Sequence, residues 1–426
     1  VTTRPRPSVD ELLDSLRIGD HLLLSRLWLR AVVGLLLLHV HAVVGSVRRT
    51  GGARQREQRP AAIHLVVANP VRHGAVLAAS AVAAARAHGV PLRVLADGRL
   101  ADPDLPVDVG FPSVAVRSVP TAARLRRLVR AWRQVARVRT WPEELRSLPS
   151  PYRVYLLLAQ SLRYDHALTT GPATAVVTDF DRAAYVRPLL WAARTRGTTT
   201  ATLVHGTPSA ATYLPLVAER VLAWGSVQAR FFAEHAPEAH VTVIGRPDLE
   251  PLSPQRRGPS RLVLCHSMED LSATEVARLG ALVAWAREDG TRVVLRPHPR
   301  DPGLRSGRGW AGLATSADEI SLGPGRLADL LGPDDLVVVA TSTSAVDALA
   351  LGVRTVVAAD PGRALSSDLA AIRDHGLRDG TEATGAEETA AEASLRRQDV
   401  VVAVSEEAGA LLGAALRTLH TSGSPQ

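Results

Sequence analysis

Three aliphatic runs of this 426-residue chain end in side chains that could do chemistry. LVHGTP (203–208) closes on His205, followed by Gly206, Thr207 and Pro208. Imidazole titrates nearer neutrality than other side chains, and glycine lets a ligand approach the backbone closely. VVLRPHPR (293–300) brings Arg296 and His298 to a strand exit stiffened by Pro297 and Pro299, and guanidinium groups match phosphate oxygens in geometry and charge. VVVATSTSAVDALALG (337–352) runs into Thr341, Ser342, Thr343 and Ser344 at a helix start, where hydroxyls and backbone N–H groups bind phosphate without lysine. Each run also has a plainer reading: a turn-bound histidine, a basic surface turn, an N-cap.

Other strand ends add candidates. Asp179, in VVTDFDR, is placed by register to orient His205 or to bind an acceptor hydroxyl, and Asp181 serves equally well as the N-cap of the next helix. His266 and Ser267 end the run RLVLCHS and, with Gly245, are candidates for donor contacts. Arg72 and His73 lie in the first strand-to-helix loop, NPVRHG (69–74), which is not a GxGxxG fingerprint; with Thr207 they are candidates for acceptor contacts.

Composition removes whole classes. All 50 Lys+Arg residues are arginine, which excludes a lysine Schiff base, a P-loop lysine and pyridoxal phosphate chemistry. The single cysteine, Cys265, excludes a disulfide framework and a cysteine-built zinc or iron–sulfur site, and fits a reducing compartment. Through residue 250 there are 32 arginines against 19 carboxylates, and after it 18 against 23, net charges of +13 and −5. A basic first half and an acidic second half suggest different partners.

The elements that must position these residues follow from periodicity. Residues 1–59 hold an apolar helical segment (21–45, interrupted by Arg26, Arg30, His39 and His41) and an Arg/Gly/Gln linker; the segment reads as a packing helix or an interfacial membrane helix, too short to span. From residue 60 to 248, short aliphatic runs alternate with helical patterns, including the Arg-rich stretch 121–139, which reads as a solvated face or as contact with an anionic surface. Residues 249–260, rich in Pro, Arg and Ser, form a hinge; 261–420 repeat the alternation, and 421–426 make a flexible tail. Strand and helix in alternation predict an α/β fold of two Rossmann-like, doubly wound domains with a ligand cleft between them, off the carboxyl ends of the strands.

The strand-end residues together resemble the GT-B glycosyltransferase superfamily, nearest the bacterial CDP-glycerol glycerophosphotransferases and the polysialyltransferase and capsule-transferase group. The resemblance is carried by His205-Gly206-Thr207-Pro208, Gly245-Arg246-Pro247, Arg296-Pro297-His298-Pro299, and Ser342-Thr343-Ser344 with Asp347 and Gly352 behind. It covers residues 170–360 in motif and 60–170 in pattern only. After the first motif comes Ser209-Ala210-Ala211, with no basic residue where the glycerophosphotransferases usually carry lysine.

The resemblance implies a GT-B architecture and an inverting, metal-independent transfer of a sugar or polyol-phosphate from a nucleotide donor to a hydroxyl acceptor in cell-surface or capsular polysaccharide synthesis. His205 would be the general base or position the acceptor; Arg296 and His298 would hold the donor's phosphates, helped by Ser342, Thr343 and Ser344. The nucleotide is then a substrate, with no resident cofactor and no nucleic-acid partner. The acceptor would be lipid-linked or an anionic polymer, and the location cytoplasmic, at the inner membrane face. The same fold hosts UDP-sugar 2-epimerases, and the arginine-rich segments alone would suit a non-catalytic protein binding anionic membranes or polyanions.

Overall fold

The computed structural model describes residues 61–67, 72–96, 107–110, 173–181, 186–249, 252, 260–298, 301–322, 326–376 and 399–422. The apolar segment 21–45, the linker 48–60, the Arg-rich stretch 121–139 and most of the hinge 249–260 lie outside these residues. Among the described residues no helix is long and apolar enough to cross a membrane.

The first unit is a seven-stranded sheet: β1 (Ala62–Val67), β2 (Leu92–Ala96), β3 (Val107–Gly110), β4 (Ala173–Thr178), β5 (Thr199–Leu203), β6 (Arg220–Ala223) and β7 (His240–Val243). Its order is β3-β2-β1-β4-β5-β6-β7, every pair parallel. The second sheet has five strands: β8 (Arg261–Cys265), β9 (Arg292–Arg296), β10 (Glu319–Ile320), β11 (Leu336–Val339) and β12 (Arg354–Val357). These run β10-β9-β8-β11-β12, again all parallel. Parallel strands are covered on both faces, which is why β1 is buried along its whole length and reads as an apolar run, broken only by His64, rather than as an alternating one.

In each sheet the strand order reverses once, between β1 and β4 and between β8 and β11. A crevice opens at such a point because successive connections leave in opposite directions. The expected class, two Rossmann-like doubly wound units, is the one found.

The helices are α1 (Arg72–Ala87), α2 (Arg187–Thr195), α3 (Ala210–Tyr213), α4 (Ser226–His235), α5 (Ala273–Glu288), α6 (Trp310–Ala314), α7 (Leu327–Leu330), α8 (Ser344–Ala350), α9 (Ser367–Gly376) and α10 (Ser405–Ser422). Helix α5 begins with a capping box: the Ser272 hydroxyl accepts from the Glu275 N–H and Glu275 returns to the Ser272 N–H.

Two features depart from independent domains joined by a hinge. Helix α10, although it ends the second half of the sequence, packs on the first unit: Leu412, Leu416 and Leu419 share a core with Ile63, Leu65, Ala78 and Ala85. Its leucines lie at helical spacing on one face, and the alanine-rich α1 leaves room for them. A second core is continuous between the units, joining Val204, Tyr213, Trp224 and Phe232 to Val263, Val339, Val357 and Ile372. An apolar junction of this kind resists the free rocking usual between polar domain faces.

Candidate functional site between the two sheets

The carboxyl ends of the two sheets meet where the units join. Arg246, just past β7, touches Asp347 on α8, and the Pro208 carbonyl, past β5, accepts from the Ser367 N–H at 3.1 Å at the start of α9. The sequence-predicted residues fall around this junction.

On the first unit, β4 and β5 are paired neighbours, so their ends bring Asp179 and His205 together. The contact is not the expected one. His205 Nδ1 lies 2.5 Å from the backbone carbonyl oxygen of Asp179, not its carboxylate. A carbonyl can only accept, so Nδ1 carries the proton and the half-exposed ring keeps its lone pair on Nε2. The His205 backbone N–H donates to the Tyr213 hydroxyl at 3.2 Å. Burial pushes the Tyr213 phenol well above its ordinary value, so it stays protonated. Phe180 meets the His205 ring edge-on at 5.3 Å, and Phe232 meets Tyr213 in the same way at 5.8 Å. The imidazole is therefore held in one tautomer by one oxygen and flanked by aromatic rings. Gly206 has open space where a Cβ would stand, and Thr207 beside it is half-buried.

Asp181 is fully buried, and its Oδ2 accepts from the Val217 and Ala218 N–H groups at 2.7 and 3.2 Å. It fixes the segment before β6. Arg72 and His73 occupy the first turn of α1, next to the β1/β4 crevice.

On the second unit, Arg296 ends β9 and pairs in register with Cys265, the last residue of β8. Burial pushes the Cys265 thiol up to about 12, with Arg296 and Ser344 acting in the other direction; it stays a neutral thiol beneath both. His298 is half-buried, and its backbone N–H donates to His266 Nδ1 at 3.1 Å. His266 itself is 2% exposed, and its Nε2 donates to the Ser306 carbonyl at 3.2 Å. Burial lowers its pKa, so the ring stays neutral and can accept from His298. Both ring nitrogens are engaged within the protein, and His266 holds the backbone at His298. Asp301 helps, its N–H donating to the His298 carbonyl at 2.8 Å while its carboxylate accepts from the Arg305 and Ser306 N–H groups. Those two amides hold the Asp301 carboxyl below its ordinary value.

The hydroxyl run crosses the β8/β11 crevice. Val339 pairs with Cys265 at the ends of β11 and β8, and Thr341 and Ser267 each lie two residues past this pair. Ser267 is 7% exposed, and neither its Oγ nor the Thr341 Oγ1 finds a hydrogen-bond partner among the described residues. Buried hydroxyls are normally satisfied, so two orphans at a sheet crevice mark a place for ligand or solvent oxygens. Thr343 stands at the N-cap of α8 with no side-chain capping bond, and the Ser342 hydroxyl donates to Ser344 Oγ at 3.1 Å. The Ser342 hydroxyl also accepts from the Ser344 N–H at 3.3 Å, so part of the run serves the helix start.

Gly245 was expected to contact the donor, but its place has a different cause. Its φ is +75°, and a Cβ there would lie 2.3 Å from the Ala403 carbonyl oxygen, so it admits the strand-like return of 403–404. Next to it, Arg246 is 7% exposed and binds Asp248 through two nitrogens, at 2.8 and 2.9 Å, and Asp347 through the third, at 2.8 Å. Its guanidinium lies 4.1 Å above the Trp224 ring. Burial opposes the charge, but the two carboxylates more than offset this and raise its pKa. The sequence marked Arg246 as a motif residue without showing its partners, which are 101 positions apart in the case of Asp347. Among the described residues no three His, Cys, Asp or Glu side chains converge as metal ligands.

No protein-family model matches the chain, and no curated protein matches it in sequence. Solved structures with a similar chain course include the UDP-GlcNAc 2-epimerase of Neisseria meningitidis bound to UDP-GlcNAc (11% identity, 85% of this chain and 100% of that one, TM-score 0.47). MurG of Acinetobacter baumannii is also similar (14% identity, 84% and 100%, TM-score 0.45). So is the spinosyn rhamnosyltransferase SpnG complexed with spinosyn aglycone (16% identity, 84% and 99%, TM-score 0.44).

Proposed function

We propose that the chain is a GT-B transferase, moving a sugar or polyol-phosphate from a nucleotide-activated donor at the second sheet to a hydroxyl acceptor at the first. The observation that carries the reading is the His205 ring. Its proton is fixed on Nδ1 by the Asp179 carbonyl, and its Nε2 is left basic on a half-exposed edge. Such a group takes the proton of an attacking hydroxyl. The second sheet supplies the complementary half. Arg296 and the His298 loop follow β9, and Ser267, Thr341, Ser342 and Thr343 follow β8 and β11; in this reading these strand ends face the leaving nucleotide's phosphates, whose charge grows in the transition state.

His205 is the base, Asp179 its orienter through the main chain, Arg296 and His298 the phosphate holders, and Arg72, His73 and Thr207 the acceptor side. Donor specificity, stereochemical inversion without a metal, and a role in cell-surface polymer synthesis at the cytoplasmic membrane face belong to the same proposal. The test is nucleotide release from CDP-glycerol and from UDP-, GDP-, CMP- and dTDP-sugars. One donor should be turned over, His205→Ala should cut turnover at least about 100-fold with donor affinity within a factor of two or three, and His298→Ala should weaken donor affinity instead. Turnover unchanged in both variants would refute the assignment.

A further inference from the structure

Asp368 is a fully buried carboxylate at the junction, on α9, and nothing in the reading above uses it. Its Oδ2 accepts from Gln228 Nε2 at 3.2 Å and lies 3.4 Å from the Ser367 hydroxyl. Its Oδ1 finds no hydrogen-bond partner among the described residues. The bonds that radiate from this point reach His205 from both sides. Gln228 accepts the Trp224 backbone N–H at 2.9 Å, and the Trp224 indole N–H donates to the carbonyl of Val204, the residue before His205, also at 2.9 Å. Ser367 holds the Pro208 carbonyl, three residues after His205, through its N–H at 3.1 Å and its hydroxyl at 3.4 Å. One buried carboxyl thus stands between the two anchors that bracket the catalytic loop, and it belongs to the other unit.

We propose that Asp368 is a positioning residue that ties the second unit to the His205 loop and does so in a proton-dependent way. The proposal rests on the reading of His205 as the base. The geometry makes the carboxyl proton-sensitive: two donors at long range satisfy one oxygen, and the other is buried bare, an arrangement that disfavours the ionised form. Ionised, the carboxylate also competes with the Pro208 carbonyl for the single Ser367 hydroxyl proton; protonated, it releases that hydroxyl to the loop. Burial accordingly pushes its carboxyl up to about 7, with Gln228 and Ser367 opposing.

The charged group that bears on it is Arg246, which lowers its pKa but is committed to Asp248 and Asp347. On α4, Arg230, Glu234 and His235 are on the exposed side; on α9 itself Arg373 turns to the carbonyls of Asp360 and Pro361. Arg354 on β12 is exposed.

The folded carboxyl binds its proton up to about pH 7 and the unfolded one only to its ordinary 3.8. Between these values the fold retains a proton that the open chain releases, so the tie weakens as pH rises towards 7 and stays weak above it. The experiment is hydrogen exchange of peptides covering 203–213, corrected for intrinsic rates, at pH 6 and pH 8. It is run on the full chain as wild type, Asp368→Asn and Asp368→Ala. Wild-type protection should fall by up to about 10-fold between pH 6 and 8. Asp368→Asn, the same shape without a charge, should show no such fall and be at least as well protected as wild type at pH 6, and Asp368→Ala should be poorly protected at both. In turnover, Asp368→Ala should lower kcat with donor KM unchanged, and Asp368→Asn should restore it. Equal pH dependence in wild type and Asp368→Asn, or loop protection untouched by Asp368→Ala, overturns the proposal. Exchange needs no donor, so loss of the transferase reading would appear as absent nucleotide binding with the exchange pattern intact.

Discussion

Arg246→Met removes the ion cluster that joins the two units while keeping much of the side chain's volume over Trp224. Three charge-assisted hydrogen bonds, each worth roughly 1.5–3 kcal/mol in isolation, disappear together. The loss is not their sum, because Asp248 and Asp347 are 19% and 28% exposed and regain water when freed. The cation over the Trp224 face adds up to about 2 kcal/mol when desolvated. Breaking a buried pair from one side costs about 3–5 kcal/mol, and partial rehydration of the carboxylates puts the expected loss near 3 kcal/mol. Urea unfolding followed by tryptophan fluorescence reads it directly, since Trp224 is the stacked partner. A cycle with Asp347→Asn isolates the cross-unit bond, for which a coupling of about 1–2 kcal/mol is expected. A loss below about 1 kcal/mol, or zero coupling, would refute the view that Arg246 clamps the junction.

Two glycines predict opposite results. Gly245→Ala drives a Cβ into the Ala403 carbonyl at positive φ and should cost at least about 2 kcal/mol in urea unfolding, while Gly206→Ala meets open space and should leave stability within about 0.5 kcal/mol. Leu416→Ala on α10 should destabilise by about 2–5 kcal/mol and raise hydrogen exchange in β1 and α1, because the buried leucine belongs to their core. Tyr213→Phe strands the His205 N–H in a buried place, costing about 1–3 kcal/mol, and should lower kcat more than donor affinity. Asp368→Asn should stabilise the protein at pH 8 by up to about 4 kcal/mol and change nothing at pH 4, where wild-type carboxyl is protonated in the fold.

Much of the fold was legible because parallel strands buried on both faces leave unbroken Val, Ile, Leu and Ala runs. Eleven of the twelve described strands coincide with the runs read from the sequence, such as RLVLC and LVVV, to within a few residues. Strand β3, VDVG, was not legible: four residues with an aspartate among them carry no run. Helix α10 was assigned to the second unit, since nothing local in Leu412, Leu416 and Leu419 says which sheet they cover. At the site, the strand ends pointed to His205, Arg296, His298 and the hydroxyl run because a doubly wound sheet puts chemistry there. What they could not reveal is which atom does the work. Asp179 orients His205 through a carbonyl that every residue owns, and His266 serves by burying both nitrogens. Asp368 carried no motif at all; its importance lies in contacts 140 positions away with Gln228.

The central claim is that the β8/β11 crevice binds the phosphates of a nucleotide. Calorimetric titration of the purified chain with CDP, UDP, GDP and dTDP, repeated with His298→Ala and Thr341→Val, tests it most directly. The account predicts that one diphosphate binds in the micromolar range, that its monophosphate binds at least 10-fold more weakly, and that each substitution costs a further 10-fold or so, about 1.4 kcal/mol. Binding of none of the four, or binding indifferent to both substitutions, would contradict it.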